Sequence, residues 1–327
     1  MYNNKTILIT GGTGSFGQSF IEYILNNFKP NKIIIFSRDE LKQFRMSEKL
    51  SRYKNVRFFL GDVRDLSRLE RAFQGVDIVV HAAALKQVPT LEYNPFEAIQ
   101  TNIIGSQNVI TAALDQRVEK VLFISTDKAA QPVNLYGATK MCAEKLFISS
   151  NNYVNKESPT KFSVVRYGNV LGSRGSIVET IINNKKDASL TLTHPDMTRF
   201  WITLEQCFSL VNYALENMVG GEIFIPKIPS MKVADIFNIL APGHKVSITG
   251  IRPGEKIHEM LITEAEMANT FDVGDYFIIV SHTVFHTKNY FKHKKLKKLV
   301  GKDFVYSSNN NSQWLDKKGL KKIISKK

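Results

Sequence analysis

The sequence predicts an α/β protein built on a doubly wound parallel sheet, with a smaller C-terminal substrate lobe. Three observations carry this prediction. Six short apolar runs (TILIT, KIIIFS, VRFFLGD, VDIVVHAA, KVLFIST and FSVVRYGN) are separated by segments of helical periodicity, the rhythm of βαβ units. A glycine-rich loop joins the first run to the first helix. Beyond residue 170 the rhythm breaks into short apolar runs punctuated by Pro and Gly (THPDMTRFW, FIPKIPSMKV, LAPGHKV, IRPGEKI), as expected of a lobe built from excursions.

The first run leads into ITGGTGSFG, in which Gly11, Gly14 and Gly17 form GxxGxxG, with Thr13, Ser15 and Phe16 in the same loop. Glycines there permit a tight turn and close backbone approach, and the helix N-terminus that follows attracts a pyrophosphate. The expectation is a Rossmann-type dinucleotide site. The second run ends at Ser37 and Arg38, with Lys42 one turn on. A carboxylate at this tip would grip the ribose 2′-hydroxyl of NAD, whereas neutral and cationic groups suit a 2′-phosphate, so NADP is expected. Alternatively, Arg38 merely pairs with Asp39 or Glu40. The third run ends GDVRD, where Asp62 would reach the adenine amino group and Val63 its ring. The fourth ends HAAA, where small Ala82 and Ala83 let the backbone approach the cofactor.

The fifth run ends in STDK and is followed by Tyr136-Gly-Ala-Thr-Lys140, a YxxxK that opens a helix. Tyrosine and lysine then lie one turn apart on one face. A phenol of pKa ~10 is a poor base at neutral pH, but a nearby ammonium favours the phenolate and makes Tyr136 usable in hydride chemistry. Asp127 and Lys128 sit just past the strand's carboxyl end, where α/β proteins bind ligands. If Lys128 is to act as a base it must be neutral, and burial with positive charge from Lys140 and the oxidised nicotinamide would press its pKa down, while Asp127 presses it up unless it is protonated.

Composition bounds the function classes. The chain has 327 residues, 43% of them hydrophobic, with no apolar run near the ~18 residues of a membrane span and no signal-peptide pattern at MYNNKTILIT. Two cysteines, Cys142 and Cys207, stand outside any CxxC or ligand spacing and read as core thiols of a cytoplasmic protein. The net charge of +14 is concentrated in the tail: thirteen lysines against Asp303 and Asp316 give residues 286–327 a net +11, leaving +3 for the other 285. Its lysines recur with Leu and Ile at helical spacing and read as solvated helix faces, so neither nucleic acid nor membrane is expected as a partner. The histidines form no ligand cluster, so no metal is expected. His81 reads as a packed core residue and His258 as part of a surface helix.

TGGTGSFG, GDVRD, HAAA, Asn102 in TNIIG, YGATK and RYGNVLG fall in the order of the extended short-chain dehydrogenase/reductase family, which the chain resembles over residues 5–265. STDKA with YGATK, SRDELKQ, HAAALKQVP, RPGEKIHE and YSSNNNSQWL resemble most the inverting UDP-N-acetylglucosamine 4,6-dehydratases of pseudaminic acid biosynthesis. The resemblance implies an NADP-dependent lyase in which Tyr136 takes the proton of the sugar 4-hydroxyl as C4 is oxidised. Lys128 then removes the C5 hydrogen, Asp127 protonates the departing C6 hydroxyl, and Thr126 holds the 4-oxygen. It also implies that Asn169 and Arg199 meet the UDP diphosphate, that Arg252 and Glu255 hold diphosphate and ribose, that Lys86 faces the substrate, and that the protein is a homo-oligomer. The implied organisation is an NADP-binding domain over 1–170 with a return around 200–226, a substrate lobe over 171–199 and 227–285, and the basic tail. The rival readings are a 4-epimerase or 5-epimerase of the same fold, and a non-catalytic NADP-binding protein whose tail meets nucleic acid. Against the last stand Tyr136, Lys140 and the Asp-Lys pair, all present.

Overall fold

Each of the six apolar runs forms a strand in the computed structural model, which describes residues 1–154, 158–172, 178–179, 181, 190–281, 297–298 and 304–324. They are β1 (Thr6–Thr10), β2 (Lys32–Ser37), β3 (Val56–Leu60), β4 (Ile78–His81), β5 (Lys120–Thr126) and β6 (Lys161–Tyr167). They lie in the order β3-β2-β1-β4-β5-β6 in a ten-stranded sheet, and Glu222–Pro226 extends the parallel run beside β6. Tyr276–Val280, Thr270–Asp272 and Lys297–Lys298 follow as antiparallel strands on that edge. Parallel strands are covered by helices on both faces, which is why β1 is buried at every position and the runs are continuous rather than alternating. The outermost β3 is the exception: only Val56 is buried, and Arg57 and Leu60 are exposed, as befits an edge.

Helix starts follow local chemistry. Asp39, Asp65 and Asn134 each accept a hydrogen bond from a backbone N–H of the first turn they precede. Thr203 and Gln206 close a reciprocal capping box on the helix Leu204–Asn217. The strand order reverses between β1 and β4, so a crevice opens at their carboxyl ends, the place where doubly wound sheets bind ligands. The glycine loop leaves β1 there, and Ala82 and Ala83 leave β4.

A second, smaller core gathers Leu171, Leu190, Leu192, Met197, Trp201, Met231, Ile236 and Phe237. Its framework is the three-stranded arrangement of Asn169–Val170, Thr198–Ile202 and Ser230–Lys232. The tail helix Lys317–Ile324 docks on this core through fully buried Leu320, leaving Lys317, Lys318, Lys321 and Lys322 exposed. Residues 325–327 of the tail lie outside the described residues. His258 is not on a helix: it forms a bridge with Thr198, and the chain continues into the strand Met260–Ile262. The reason is the partner strand Tyr306–Ser307, a pairing too distant in sequence to leave a local signal.

Arg166, at the end of β6, ties the helix Leu135–Ser149 to the segment that runs from Leu261 to Glu266. Its guanidinium is buried, forks onto Glu144 (3.0 and 2.6 Å) and Glu266 (3.0 and 2.8 Å), and donates to the Leu261 carbonyl at 3.0 Å. Removing one partner of such a group leaves uncompensated buried charge. Arg166→Met is therefore expected to lower the free energy of unfolding by about 3–5 kcal/mol in a urea titration. A loss below about 1 kcal/mol, the range of ordinary surface changes, would show that Glu144 and Glu266 take up protons and tolerate the change.

Candidate active site

One cleft of about 1460 Å³ runs along the carboxyl ends of the strands. It is lined by every candidate residue singled out in the sequence except Asp127, which lies fully buried beneath it. At one end the loop turns at Gly11, whose φ of +66° and contact with the Ala83 backbone leave no room for a side chain. Gly14 heads the helix Ser15–Asn27 with no side-chain cap, so the first-turn N–H groups from Ser15 to Gly17 border the cleft with their polarity available to an anion, while the Gly14 N–H donates to the Gly11 carbonyl. A Cβ at Gly14 would meet only the Gly11 carbonyl oxygen and would otherwise project into open space. These features fit a dinucleotide pyrophosphate.

Beyond the loop, Ser37 is held by Gln43, which donates to both its carbonyl and its hydroxyl. Arg38 pairs with neither Asp39 nor Glu40. Half exposed, it lies 3.7 Å from Asp62, whose stronger partner is Arg64 at 2.8 Å. Lys42 is less available than the sequence suggests: it is paired at 2.7 Å with Asp39, the cap of its own helix. Val63 packs beneath Gly105 with little exposure. His81 is a core residue, stacked on Phe123 and Phe147, with its ring nitrogens meeting Thr10 and Ser106. Burial, with Lys140 nearby, holds its pKa down to about 3, so it is neutral.

At the middle of the cleft, β5 ends in a single 3₁₀ turn, Asp127–Ala129, for which Thr126 is the cap. The helix Leu135–Ser149 packs against this turn so closely that a Cβ on Gly137 would collide with the Lys128 carbonyl. Tyr136 is thereby set beside Thr126, Asp127 and Lys128. Thr126 donates to Asp127 Oδ1 at 2.9 Å and Lys128 Nζ to the same oxygen at 3.0 Å. Among the described residues Asp127 Oδ2 has no hydrogen-bond partner. Burial raises the Asp127 pKa against the pull of Lys128, which favours a protonated carboxyl.

Two electrostatic expectations are corrected. Lys140 does not set the Tyr136 phenol: its Nζ donates to the Ile124 carbonyl at 2.7 Å and sits 3.9 Å from the centre of the Phe123 ring. Burial raises the Tyr136 pKa to about 12, and the cation that opposes this is Lys128. Nor is Lys128 pressed toward neutrality. Burial favours its neutral form, but Asp127 and a second carboxylate, Glu259, outweigh it and raise its pKa. Glu259, 3.3 Å from Lys128 Nζ, was not legible in the sequence. No local pattern distinguishes it within RPGEKIHE, and only the bridge to Thr198 and the strand beside Tyr306–Ser307 bring it under the cleft.

Arg199 is also placed differently from expectation. It lines the cleft, but its guanidinium donates to the carbonyls of Thr198 (2.7 Å), Ile257 (3.0 Å) and Lys256 (3.0 Å), and its Nε lies 3.7 Å from Glu259. It organises the RPGEKIHE segment rather than offering an unoccupied fork. That segment is further stitched to the turn by Lys256 onto the Ala130 carbonyl (2.6 Å) and by Asn134 onto the Gly254 carbonyl (2.7 Å). Arg252 and Glu255 border the cleft on this side, Asn169 presents a buried Oδ1 with no hydrogen-bond partner among the described residues, and Lys86 is exposed at the rim. Among the described residues no three of His, Cys, Asp or Glu gather as a metal ion would require, and no helix is long and apolar enough to cross a membrane.

A family model described as polysaccharide biosynthesis protein matches residues 7–281. The chain is 49% identical to the UDP-N-acetylglucosamine 4,6-dehydratase (inverting) of Campylobacter jejuni, over 99% of this chain and 98% of that one. It is 45% identical to a UDP-glucose 4-epimerase of Rickettsia canadensis over 85% of this chain and 84% of that one. Among solved structures, the X-ray structure of Pen from Bacillus thuringiensis is 38% identical and superposes with a TM-score of 0.90, covering 100% of this chain and 98% of that one.

The buried Lys140 gives a test of the site's electrostatics. Burial, opposed by Glu144, lowers its pKa to about 7, whereas in the unfolded chain it titrates near ~10.4. Below the lower value both states are protonated and the cost of the buried charge is constant. Between the two values the unfolded chain holds the extra proton, so stability rises with pH by up to about 1.4 kcal/mol per unit. Measured by urea unfolding, wild type should gain on Lys140→Met between pH 7 and pH 9. A difference that does not change with pH would mean that Lys140 stays charged.

Proposed function

The chain belongs to the polysaccharide biosynthesis protein family, on the extended short-chain dehydrogenase/reductase fold, and from that premise we propose that it is an NADP-dependent UDP-N-acetylglucosamine 4,6-dehydratase that inverts C5. Its product is then a UDP-4-keto-6-deoxy-hexosamine. The observation that carries this reading is the placement of a buried carboxyl, Asp127, and an amine, Lys128, beside Tyr136 in one cleft. An elimination needs an acid and a base beside the group that takes the 4-hydroxyl proton, whereas a simple epimerisation at C4 needs only that group.

The cofactor would be held by the loop from Gly11 to Gly17, by Asp62, Val63, Ala82 and Ala83, and by Tyr136 and Lys140. Ser37 and Arg38 support NADP over NAD, with Lys42 able to join only by leaving Asp39. When bound, the nicotinamide cofactor supplies reversible hydride acceptance, taking hydride from C4 and returning it at C6. The UDP moiety would lie toward Asn169, Arg252 and Glu255, with Lys86 at the rim and Arg199 shaping the segment that carries them.

The protein's own groups account for the protons. Tyr136 receives the 4-hydroxyl proton; because its phenol resists ionisation, that proton must move on. Thr126 meets both the phenol and Asp127 Oδ1, so it offers the next oxygen. Asp127, whose buried carboxyl favours the protonated form, delivers a proton to the departing C6 hydroxyl, which leaves as water. Lys128, left neutral when its ammonium proton crosses the 3.0 Å contact to Asp127 Oδ1, removes the C5 hydrogen, and a solvent proton delivered to the other face of C5 inverts that centre. The balance closes: the C6 oxygen leaves as water, and the solvent proton gained at C5 replaces the 4-hydroxyl proton released through Tyr136 and Thr126.

The epimerase reading draws on the Rickettsia relative, and product mass separates the two. With UDP-N-acetylglucosamine and NADP in deuterated water, the expected product has lost one water and carries solvent deuterium at C5. A product of unchanged mass with C4 inverted overturns the dehydratase reading. Lys128→Ala should still bind substrate but lose the C5 deuterium, while Tyr136→Phe should stall the earlier oxidation at C4. Undiminished water loss in Lys128→Ala would leave Lys128 as only an ion-pair partner of Asp127.

For the cofactor, Arg38→Ala should weaken NADP binding by about 1–3 kcal/mol, the value of a charge-assisted contact, and leave NAD binding unchanged. Equal affinity of the wild-type protein for both dinucleotides in a direct titration would sink the preference.

A further inference from the structure

The elimination pair is not a pair. Lys128 Nζ has two carboxylate partners, Asp127 Oδ1 at 3.0 Å and Glu259 Oε1 at 3.3 Å, and the second comes from a segment more than a hundred residues away. Glu259 is almost completely buried, and it is fixed from its backbone. Its N–H donates to Ser308 Oγ at 2.9 Å, and its carbonyl accepts from the Ser308 N–H at 2.8 Å. Ser308 itself is fully buried and meets Thr198 Oγ1 at 2.7 Å. The YSSNNNSQWL motif therefore acts as a clamp that presents one carboxylate to the floor of the cleft. Its Asn311 fastens the same stretch to the Ile228 carbonyl and the Ser230 hydroxyl.

We propose that Glu259 is a positioning residue of the elimination, holding the Lys128 amine in place and supplying the fixed negative charge against which Lys128 takes up the C5 proton. This rests on the dehydratase reading above. As the C5–H bond breaks, its electron pair moves into the C5–C6 bond order, the C6–O bond breaks, and the C6 hydroxyl leaves with the Asp127 proton. Lys128, neutral only after its proton has crossed the 3.0 Å contact to Asp127, returns from amine to ammonium. A preorganised anion beside a developing cation lowers the cost of that change without reorganisation at the moment of reaction. Glu259 also makes Lys128 a stronger base than a lysine paired with Asp127 alone, at the expense of a smaller neutral fraction at low pH.

Every charged group packed on this centre enters the balance. On the 3₁₀ turn it is Asp127; on the helix Leu135–Ser149 it is Tyr136; on the strand Thr198–Ile202 it is Arg199, 3.7 Å from Glu259; on its own segment it is Lys256, 3.9 Å from Glu259. Burial raises the Glu259 pKa, but Lys128 first, and then Arg199 and Lys256, outweigh it and lower it. Glu259 is thus a poor proton acceptor and a dependable fixed charge. Its Oε2 has no hydrogen-bond partner among the described residues, as expected of a group that acts through its charge and not through a completed hydrogen-bond set.

The test replaces charge while keeping shape. In Glu259→Gln, the Lys128 titration should move to lower pH by about 1–3 units, the effect of an opposite charge at this distance. Two readouts report it. The first needs no turnover: wild type and variant are exposed to acetic anhydride across a pH series, and acylation of Lys128 is followed by peptide mass spectrometry. The second is the pH profile of water loss from UDP-N-acetylglucosamine, whose ascending limb should shift down while the plateau kcat falls at least about tenfold with little change in KM. Glu259→Asp, which keeps the charge, should return the Lys128 titration toward that of wild type. An unshifted Lys128 titration in a Glu259→Gln protein that unfolds at the wild-type urea concentration overturns the proposal. So does a titration that Glu259→Asp fails to restore. If wild type releases no water from the sugar nucleotide and yet the acylation curve shifts, the dehydratase reading fails and the control of Lys128 by Glu259 stands.

Discussion

Arg166 leaves the end of β6 almost wholly out of water and directs its guanidinium to Glu144, Glu266 and the Leu261 carbonyl. Glu144 stands on the helix that carries Tyr136. Leu261 and Glu266 belong to the stretch that begins just after Glu259. One side chain of the central sheet therefore fixes the tyrosine helix against the segment that supplies the second carboxylate. A buried ion pair of this kind adds little net stability over a well-packed apolar alternative, because desolvation cancels most of the attraction. What it supplies is registry between two elements that share no local contact in the sequence, and the cleft depends on that registry.

The reaction centre repeats this logic with a different purpose. Asp127 and Glu259 are both buried, and both would be costly if left unpaired. Lys128 meets both, and Arg199 and Lys256 flank Glu259. The arrangement pushes the two carboxyls in opposite directions. Burial raises the pKa of Asp127 against the pull of Lys128, whereas the cations around Glu259, Lys128 foremost, outweigh its burial and lower its pKa. Two carboxyls on either side of one amine are thus biased in opposite directions by their neighbours, as an acid and a fixed charge require. Arg199, expected on a diphosphate, is part of this internal balance.

The relatives illustrate why fold alone does not decide the chemistry. A dehydratase and an epimerase both match this chain at 45% identity or above. Crevice, glycine loop and tyrosine helix serve any reversible oxidation at a sugar C4, so they do not separate the two activities. The acid and base proposed for the elimination, Asp127 and Lys128, lie on the single turn that ends β5.

The sequence alone determined most of what is local. Unbroken β-branched runs at regular spacing suit strands buried on both faces, as in a parallel sheet, so the six strands and their helices were legible from periodicity. The glycine loop, Asp127, Lys128 and Tyr136 were legible because their chemistry is written in consecutive residues. What the sequence lacked was the sum of charges across distant segments. Lys128 reads as a lysine beside one aspartate, and Lys140 as the cation nearest Tyr136 along the helix. In space, Glu259 joins Lys128, Lys140 turns to the Ile124 carbonyl, Arg199 closes on its own neighbours' backbone, and His258 sits in an extended bridge instead of a helix. All but the Lys140 contact depend on Thr198 and Ser308 meeting residues 257–259, a contact between three separate stretches of chain. Periodicity and motif spacing act over a few residues, whereas Coulomb interactions in a buried site act over a few ångströms of space. The protonation states at the centre of this cleft were therefore decided by the tertiary structure.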